Sequence, residues 1–189
     1  MSKLIIGLCG LPGCGKGTAA DIFQRDYGAG YFRFSKIIGD LLTRLYLEKT
    51  RDNFIQMSEI VRHEFGEDVF SHAILKDMLE APQDVVVLDG IRRPEDIVAL
   101  EPLPEFKLIA IDTDAKLRFE RMKKRGEKAG ERNMTWDEFL QDEAAPTEVT
   151  IPGVMERAWR TVPNNGTVDE FAGLIHEMMR DLNVAVKTN

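Results

Sequence analysis

The chain alternates blunt apolar runs with stretches whose apolar residues recur every three or four positions. Leu4, Ile5, Ile6, Leu8 and Cys9 make the first run, and DVVVLDG at 84–90 makes the second. Runs this short and this uniformly apolar read as strands buried on both faces. AGYFRF at 29–34 and KLIAID at 107–112 supply two more strands, and 158–162 a weaker fifth. Helical patterns fill the gaps. The first covers 19–27, and Ser35 can cap the next, which carries Ile37, Ile38, Leu41, Leu42 and Leu45. Over 51–79, Phe54, Met57, Val61 and Phe65 form one apolar stripe, and Gly66 divides the stretch in two. Pro94 opens a further helix. Over 114–125, Ala115, Phe119 and Met122 mark one face, while Arg118, Arg121 and Arg125 mark another. Thr135 with Glu138, and Thr167 with Glu170, are capping boxes. The second opens a last helix that buries Phe171, Leu174, Ile175, Met178 and Leu182.

Strands alternating with helices predict a five-stranded, mostly parallel sheet in a three-layer α/β/α arrangement. Ligands in such folds bind beyond the C-terminal strand ends. A length of 189 residues suits a single domain. Its core is expected at 1–35, 81–124 and 134–189, with a helical insert at 36–80 and a short lid at 125–133. The formal charge of −7 argues against a nucleic-acid or anionic-membrane partner, since both select basic surfaces. No run reaches membrane-spanning length, and 2–9 is too short for a signal peptide. Two cysteines make no disulfide framework, so a reducing cytoplasm is the expected compartment.

Candidate chemistry begins where the first strand stops. Gly10-Leu11-Pro12-Gly13-Cys14-Gly15-Lys16-Gly17-Thr18 joins that strand to the first helix. A glycine-rich loop running into a helix N-terminus presents inward amides and a favourable dipole to phosphate, and Lys16 adds a full charge. The spacing fits a Walker A loop, except that Gly17 follows the lysine and the hydroxyl comes at Thr18. GLPGCGKGT resembles the G-x-P-G-x-G-K-G-T loop of adenylate-kinase-like nucleoside monophosphate kinases. The resemblance implies a P-loop NTPase fold, ATP and Mg²⁺ as cofactors, and donor binding by Gly13, Cys14, Gly15, Lys16, Gly17 and Thr18.

Asp89 ends the second buried strand, the place from which an acid reaches Mg²⁺ alongside Thr18. DGIRRPED resembles the D-G-F-P-R segment of adenylate kinases, and more closely the D-G-I-R-x-x-E segment of related deoxynucleotide-kinase-like proteins. Arg92 is the expected grip on an acceptor phosphate, with Arg93 as the alternative, because a guanidinium binds phosphate bidentately. RDNFIQ and RHEFG in the insert resemble deoxynucleoside monophosphate kinase segments, which implies that Arg51, Gln56 and Arg62 face the acceptor with Ser35 and Asp89. The adenylate-kinase G-D-x-x-R element is only mirrored, since Thr43 stands where the arginine belongs and Arg44 comes one place late. A one-residue shift turns a helical side chain by about 100°, which speaks against AMP as acceptor.

Between 114 and 132, eight basic residues face four acidic ones in a chain that is acidic overall. Arg121 and Arg125 match the R-x-x-x-R that leads into the lid of adenylate-kinase-like enzymes, and the resemblance implies that they stabilise the transferring phosphoryl. Arg118 shares their face but sits at its start, too far from the phosphates to act. The lid has no cysteines, so it holds no zinc. Asn165 lies where the family's adenine-holding loop would be. Lys16, Arg92, Arg121 and Arg125 are thus the expected catalytic groups of a kinase that transfers the γ-phosphoryl of ATP to a small nucleoside or deoxynucleoside monophosphate. Another small-metabolite kinase, such as dephospho-coenzyme A kinase, is an alternative. So is an NTPase switch with no acceptor.

Overall fold

The computed structural model describes residues 3–126 and 131–187. Five strands form one all-parallel sheet: β1 (Leu4–Cys9), β2 (Gly30–Arg33), β3 (Val85–Ile91), β4 (Phe106–Asp112) and β5 (Arg160–Pro163), in the order β2-β3-β1-β4-β5. The two bluntest apolar runs, β1 and β3, lie inside, where both faces must be covered. Their side chains alternate between two separate cores. Ile6, Leu8, Val85 and Val87 enter one, while Ile5, Cys9, Val86 and Leu88 enter the other.

Helix α1 (Lys16–Tyr27) and the C-terminal helix supply the first core with Phe23, Phe171, Ile175 and Met178. On the opposite face, α2 (Phe34–Arg44), α3 (Arg51–Phe65) and α4 (Val69–Glu80) connect β2 to β3. Leu42, Phe70, Ile74 and Met78 are buried there against the sheet. The stretch expected as an insert thus includes α4, a crossover helix with a full share of the core. Beyond β4 come α5 (Ala115–Arg125), α6 (Trp136–Glu143), α7 (Ile151–Met155) and, after β5, α8 (Val168–Asp181). Both predicted capping boxes form, at Thr135 with Glu138 and at Thr167 with Glu170.

Several local expectations need correction. Helix α2 starts at Phe34 with Arg33 as its extended N-cap, so Ser35 lies inside the helix and caps nothing. Phe54, Met57 and Val61 pack on the core, but Phe65 at the helix end is 74% exposed. Pro94 opens a 3₁₀ turn, Pro94–Ile97, in place of a helix. The fifth strand begins two residues later than expected. Within the expected lid, 127–130 lie outside the described residues, and Glu131–Asn133 form a 3₁₀ turn. No helix among the described residues is long and apolar enough to cross a membrane.

Leu42 is fully buried where α2 meets the sheet side of α4. Leu42→Ala should destabilise the fold by about 3 kcal/mol through lost burial and the cavity left behind. Urea unfolding should show a lower midpoint at unchanged slope.

Candidate active site

The C-terminal ends of β1 and β3 open onto a cavity of about 600 Å³, lined by Gly13, Lys16, Thr18, Asp89, Arg121 and Arg125 among others. The phosphate loop between β1 and α1 forms one wall. Gly10 has φ +145° and Gly15 has φ +106°, a region that L side chains rarely enter. A Cβ on Gly10 would meet the Ile111 carbonyl oxygen at 2.5 Å, so the loop can hug β4 only with glycine there. Gly15 is also the N-cap of α1 and brings no capping side chain, which leaves the first-turn amides for an anion. Lys16 folds back over the loop, with Nζ donating to the Gly10 carbonyl at 2.6 Å. In this state the ammonium rests on the loop it spans and is not freely solvated. Gly17 and Thr18 line the same wall.

Cys14 is different from its neighbours. Its side chain is buried in the α1–α8 core, and its backbone N–H donates to Leu11 O at 3.2 Å. The carbonyl of Cys14 points outward to the Asn164 amide at 2.8 Å and the Thr113 hydroxyl at 3.0 Å. Cys14 is not part of the cavity lining, and its buried thiol accepts from Lys16 Nζ at 3.6 Å from behind the loop.

Asp89 lies across the cavity and is 7% exposed. Its Oδ2 accepts from the Tyr31 hydroxyl at 2.8 Å, with Arg33 Nε at 3.9 Å. Its Oδ1 is buried without a partner. Burial and the neighbouring Asp89 charge push the Tyr31 phenol above its usual range, so it stays a donor. A buried carboxylate oxygen without a donor, in one cavity with the Thr18 hydroxyl, fits a hydrated Mg²⁺.

A second cavity of about 420 Å³ adjoins the first, and Arg33, Asp89, Gly90 and Arg92 line both. Ser35, Arg51 and Arg62 line the second cavity, together with Phe54, Ile55 and Ser58 of α3. Arg51, Phe54, Ile55, Ser58 and Arg62 fall on one helical face. Gln56 does not: it is exposed and stands outside the lining, so its expected contact with an acceptor is corrected. Arg62 is also turned inward. Its guanidinium pairs with Asp96 at 2.9 Å, lies 5.0 Å from the Phe70 ring and donates to the Glu67 carbonyl. Asp96 in turn accepts from the Arg92 and Arg93 amides, at 2.9 and 3.0 Å. Arg62 therefore secures the turn that carries Arg92, and only its edge reaches the cavity. The Arg92 side chain is held by Glu148 at 2.7 Å, and Arg93, also on the wall of the second cavity, lies 3.5 Å from Glu67.

The arginine face of α5 divides. Arg121 lines the first cavity with Nη1 buried and unpartnered among the described residues. Arg125 lines it too and pairs with the buried Glu131 at 2.9 Å. Arg118, expected at the start of this face and away from the phosphates, is 4% exposed and packs beneath the loop. Asn165 is corrected as well. Its side chain accepts from the Asp114 amide at 2.9 Å, outside the cavity lining, while its neighbour Asn164 lines the cavity.

Arg33, Tyr31, Glu148 and Asn164 are site residues that sequence reasoning missed. Arg33 and Tyr31 sit on a strand that reads as packing, and Glu148 follows a proline-broken stretch with no periodicity. The nearest signal was the neighbouring Asn-Asn-Gly turn, which turn chemistry alone explains. Every buried side-chain polar atom without a partner among the described residues belongs to Asp89, Arg121 or Glu148, and all three line the first cavity.

Comparison with known proteins agrees with this geometry. A family model described as AAA domain matches residues 6–144. A UPF0200 protein of Pyrococcus abyssi is 30% identical over 185 residues, covering 95% of this chain and 97% of that protein. A UPF0200 protein of Hyperthermus butylicus is 26% identical over 169 residues, 89% of each chain. Among solved structures, TT1252 from Thermus thermophilus is similar at a TM-score of 0.61 and 15% identity, over 96% of this chain and 99% of that one. A shikimate kinase from Bacteroides thetaiotaomicron gives the same TM-score and identity over 94% and 98%. At such identity the structural likeness concerns the fold, a P-loop kinase fold. It does not single out the adenylate kinases.

Cys9 and Cys14 are both buried and unbridged, and burial pushes the Cys9 thiol up to about 12. Neither should react with Ellman's reagent in the native protein, and both should react once it is denatured. Native-state labelling at the rate of a free cysteine would contradict the buried placement of Cys14.

Proposed function

The chain belongs to the AAA domain family, with UPF0200 relatives along nearly its whole length, and on that premise we propose an ATP-dependent small-molecule kinase acting on nucleoside or deoxynucleoside monophosphates. The observation that carries this is the pair of adjoining cavities with Arg33, Asp89 and Arg92 on their shared border. A nucleotide switch needs one phosphate site. A kinase needs two, meeting where the phosphoryl group crosses.

The donor phosphates occupy the loop amides, and Lys16 exchanges its carbonyl partner for phosphate oxygens. Thr18 and Asp89 Oδ1 would hold Mg²⁺, which neutralises charge on the donor phosphates when bound. Arg92 and Arg33 draw the acceptor phosphate to the border, beside the apolar wall that Phe54 and Ile55 offer to a base. An acceptor phosphate oxygen attacks the γ-phosphorus, the bond to the bridging oxygen breaks, and ADP leaves with the electron pair. Arg121 Nη1, desolvated and unpartnered among the described residues, is matched to charge on the moving group. The buried thiols suit a reducing cytoplasm. No nucleic-acid or membrane partner is part of this reading.

The test is ADP release across ribo- and deoxynucleoside monophosphates, dephospho-coenzyme A, shikimate and a no-acceptor control. Stimulation by a monophosphate is expected. Stimulation only by another acceptor would reassign the substrate, and none at all would leave a hydrolase or switch. With the active acceptor, Arg121→Ala should lower kcat about a hundredfold while ATP titration stays near wild type. Lys16→Ala should abolish turnover and retain the wild-type far-UV circular dichroism spectrum. Full turnover by either folded variant would overturn its role.

A further inference from the structure

An anion-binding loop works only if its amides face the ligand, which requires its carbonyls to face elsewhere and be satisfied there. Two carbonyls of this loop are met from outside by side chains. Cys14 O accepts from Asn164 and Thr113, and Pro12 O lies 3.4 Å from Arg118 Nη1. Arg118 does more than this one contact. Its Nε donates to Thr113 O at 3.0 Å, its guanidinium lies 5.3 Å from the Phe139 ring, and Nη1 pairs with Glu143. Phe139 and Glu143 belong to α6, the helix that follows the expected lid. The loop also rests on the backbone of α5. A Cβ on Gly13 would stand 2.8 Å from the Arg118 carbonyl oxygen.

We infer that Arg118 is a positioning residue for the phosphate loop, holding its outer limb to α6 so that donor affinity depends on where α6 sits. The guanidinium has one fork for three elements: the loop through Pro12, the β4–α5 turn through Thr113, and α6 through Glu143 and Phe139. Thr113 passes the constraint on, since its hydroxyl holds the Cys14 carbonyl. A displaced α6 draws Glu143 and Arg118 with it. The loop then loses a donor at Pro12 and its brace at Thr113, and its carbonyls are free to rotate toward the phosphates. Neither Glu143 nor Arg118 lines either cavity, so any effect on nucleotide is indirect. The inference rests on the nucleotide-binding role of that loop, and on nothing about the acceptor.

The experiment compares ATP affinity by calorimetry with thermal midpoint for the wild type, Glu143→Ala, Arg118→Met and the double variant Arg118→Met/Glu143→Met. Arg118→Met should weaken ATP about tenfold, the order expected for a charged hydrogen-bonding group, and Glu143→Ala should weaken it several-fold. Arg118→Met leaves a carboxylate without its partner and should also lower the midpoint. The double variant removes that unpaired charge and should regain midpoint, as apolar replacement of buried pairs often does. Its ATP affinity should stay low, because the loop is still unheld. If affinity recovers with the midpoint, Arg118 serves only stability and the inference is overturned. Wild-type affinity in folded Glu143→Ala and in the double variant overturns it equally, even where Arg118→Met does not fold. A wild type that binds no ATP removes the nucleotide reading itself, and the inference with it.

Discussion

The site depends on peptide orientation in the six residues between β1 and α1. Phosphate carries dense negative charge, and a peptide presents it with either a donor or an acceptor. Turning the donors inward forces the acceptors outward, where burial would leave them unsatisfied at a cost of about 1–3 kcal/mol each. Here the outward acceptors are met by Arg118, Thr113 and Asn164, groups from the β4–α5 region and the end of β5. The loop's shape is therefore a property of the sheet's C-terminal edge as a whole. Glycine makes the dihedrals possible, but the surrounding side chains select among them.

The same edge concentrates polar groups that have no partner among the described residues. Asp89 Oδ1, Arg121 Nη1 and Glu148 Oε2 are buried, uncompensated and gathered on one cavity. Native proteins rarely leave such groups unpaired, and where they do the site is one of use. The other oxygens of the two carboxylates are held. Tyr31 fixes Asp89, and Glu148 fixes Arg92 through its second oxygen. One end of each carboxylate is thus anchored while the other faces the cavity, which is preorganisation in a form that needs no motion at the moment of reaction.

The second cavity is built by a different logic. Its arginines are divided between lining the cavity and bracing the turn beside it. Arg62 gives its charge to Asp96, whose other oxygen gathers the amides of Arg92 and Arg93. The ion pair lies in the interior, where breaking it would strand a charge. Its effect is to hold the backbone of Arg92 against the strand end, while Glu148 holds the side chain.

How much of this was legible beforehand follows from the range of the forces involved. Strand and helix identities, the parallel sheet, the capping boxes and the phosphate loop were readable because each is written in residues a few positions apart. Apolar runs of period two or 3.6, a threonine three before a glutamate, and glycines at set spacing all act locally. So did the placement of Asp89, since the strand that carries it ends where it must. Side-chain direction was not readable. Arg118, Arg121 and Arg125 look equivalent on a helical wheel, yet one lies under the loop, one faces the cavity with a nitrogen unpartnered among the described residues, and one pairs with Glu131. Gln56 and Arg51 share a helix but not a face toward the cavity, and Asn164 and Asn165 exchange roles across one peptide. Tertiary packing alone decided these, because a guanidinium or amide takes the partner that distant segments bring to it, and those segments meet only when the sheet has closed.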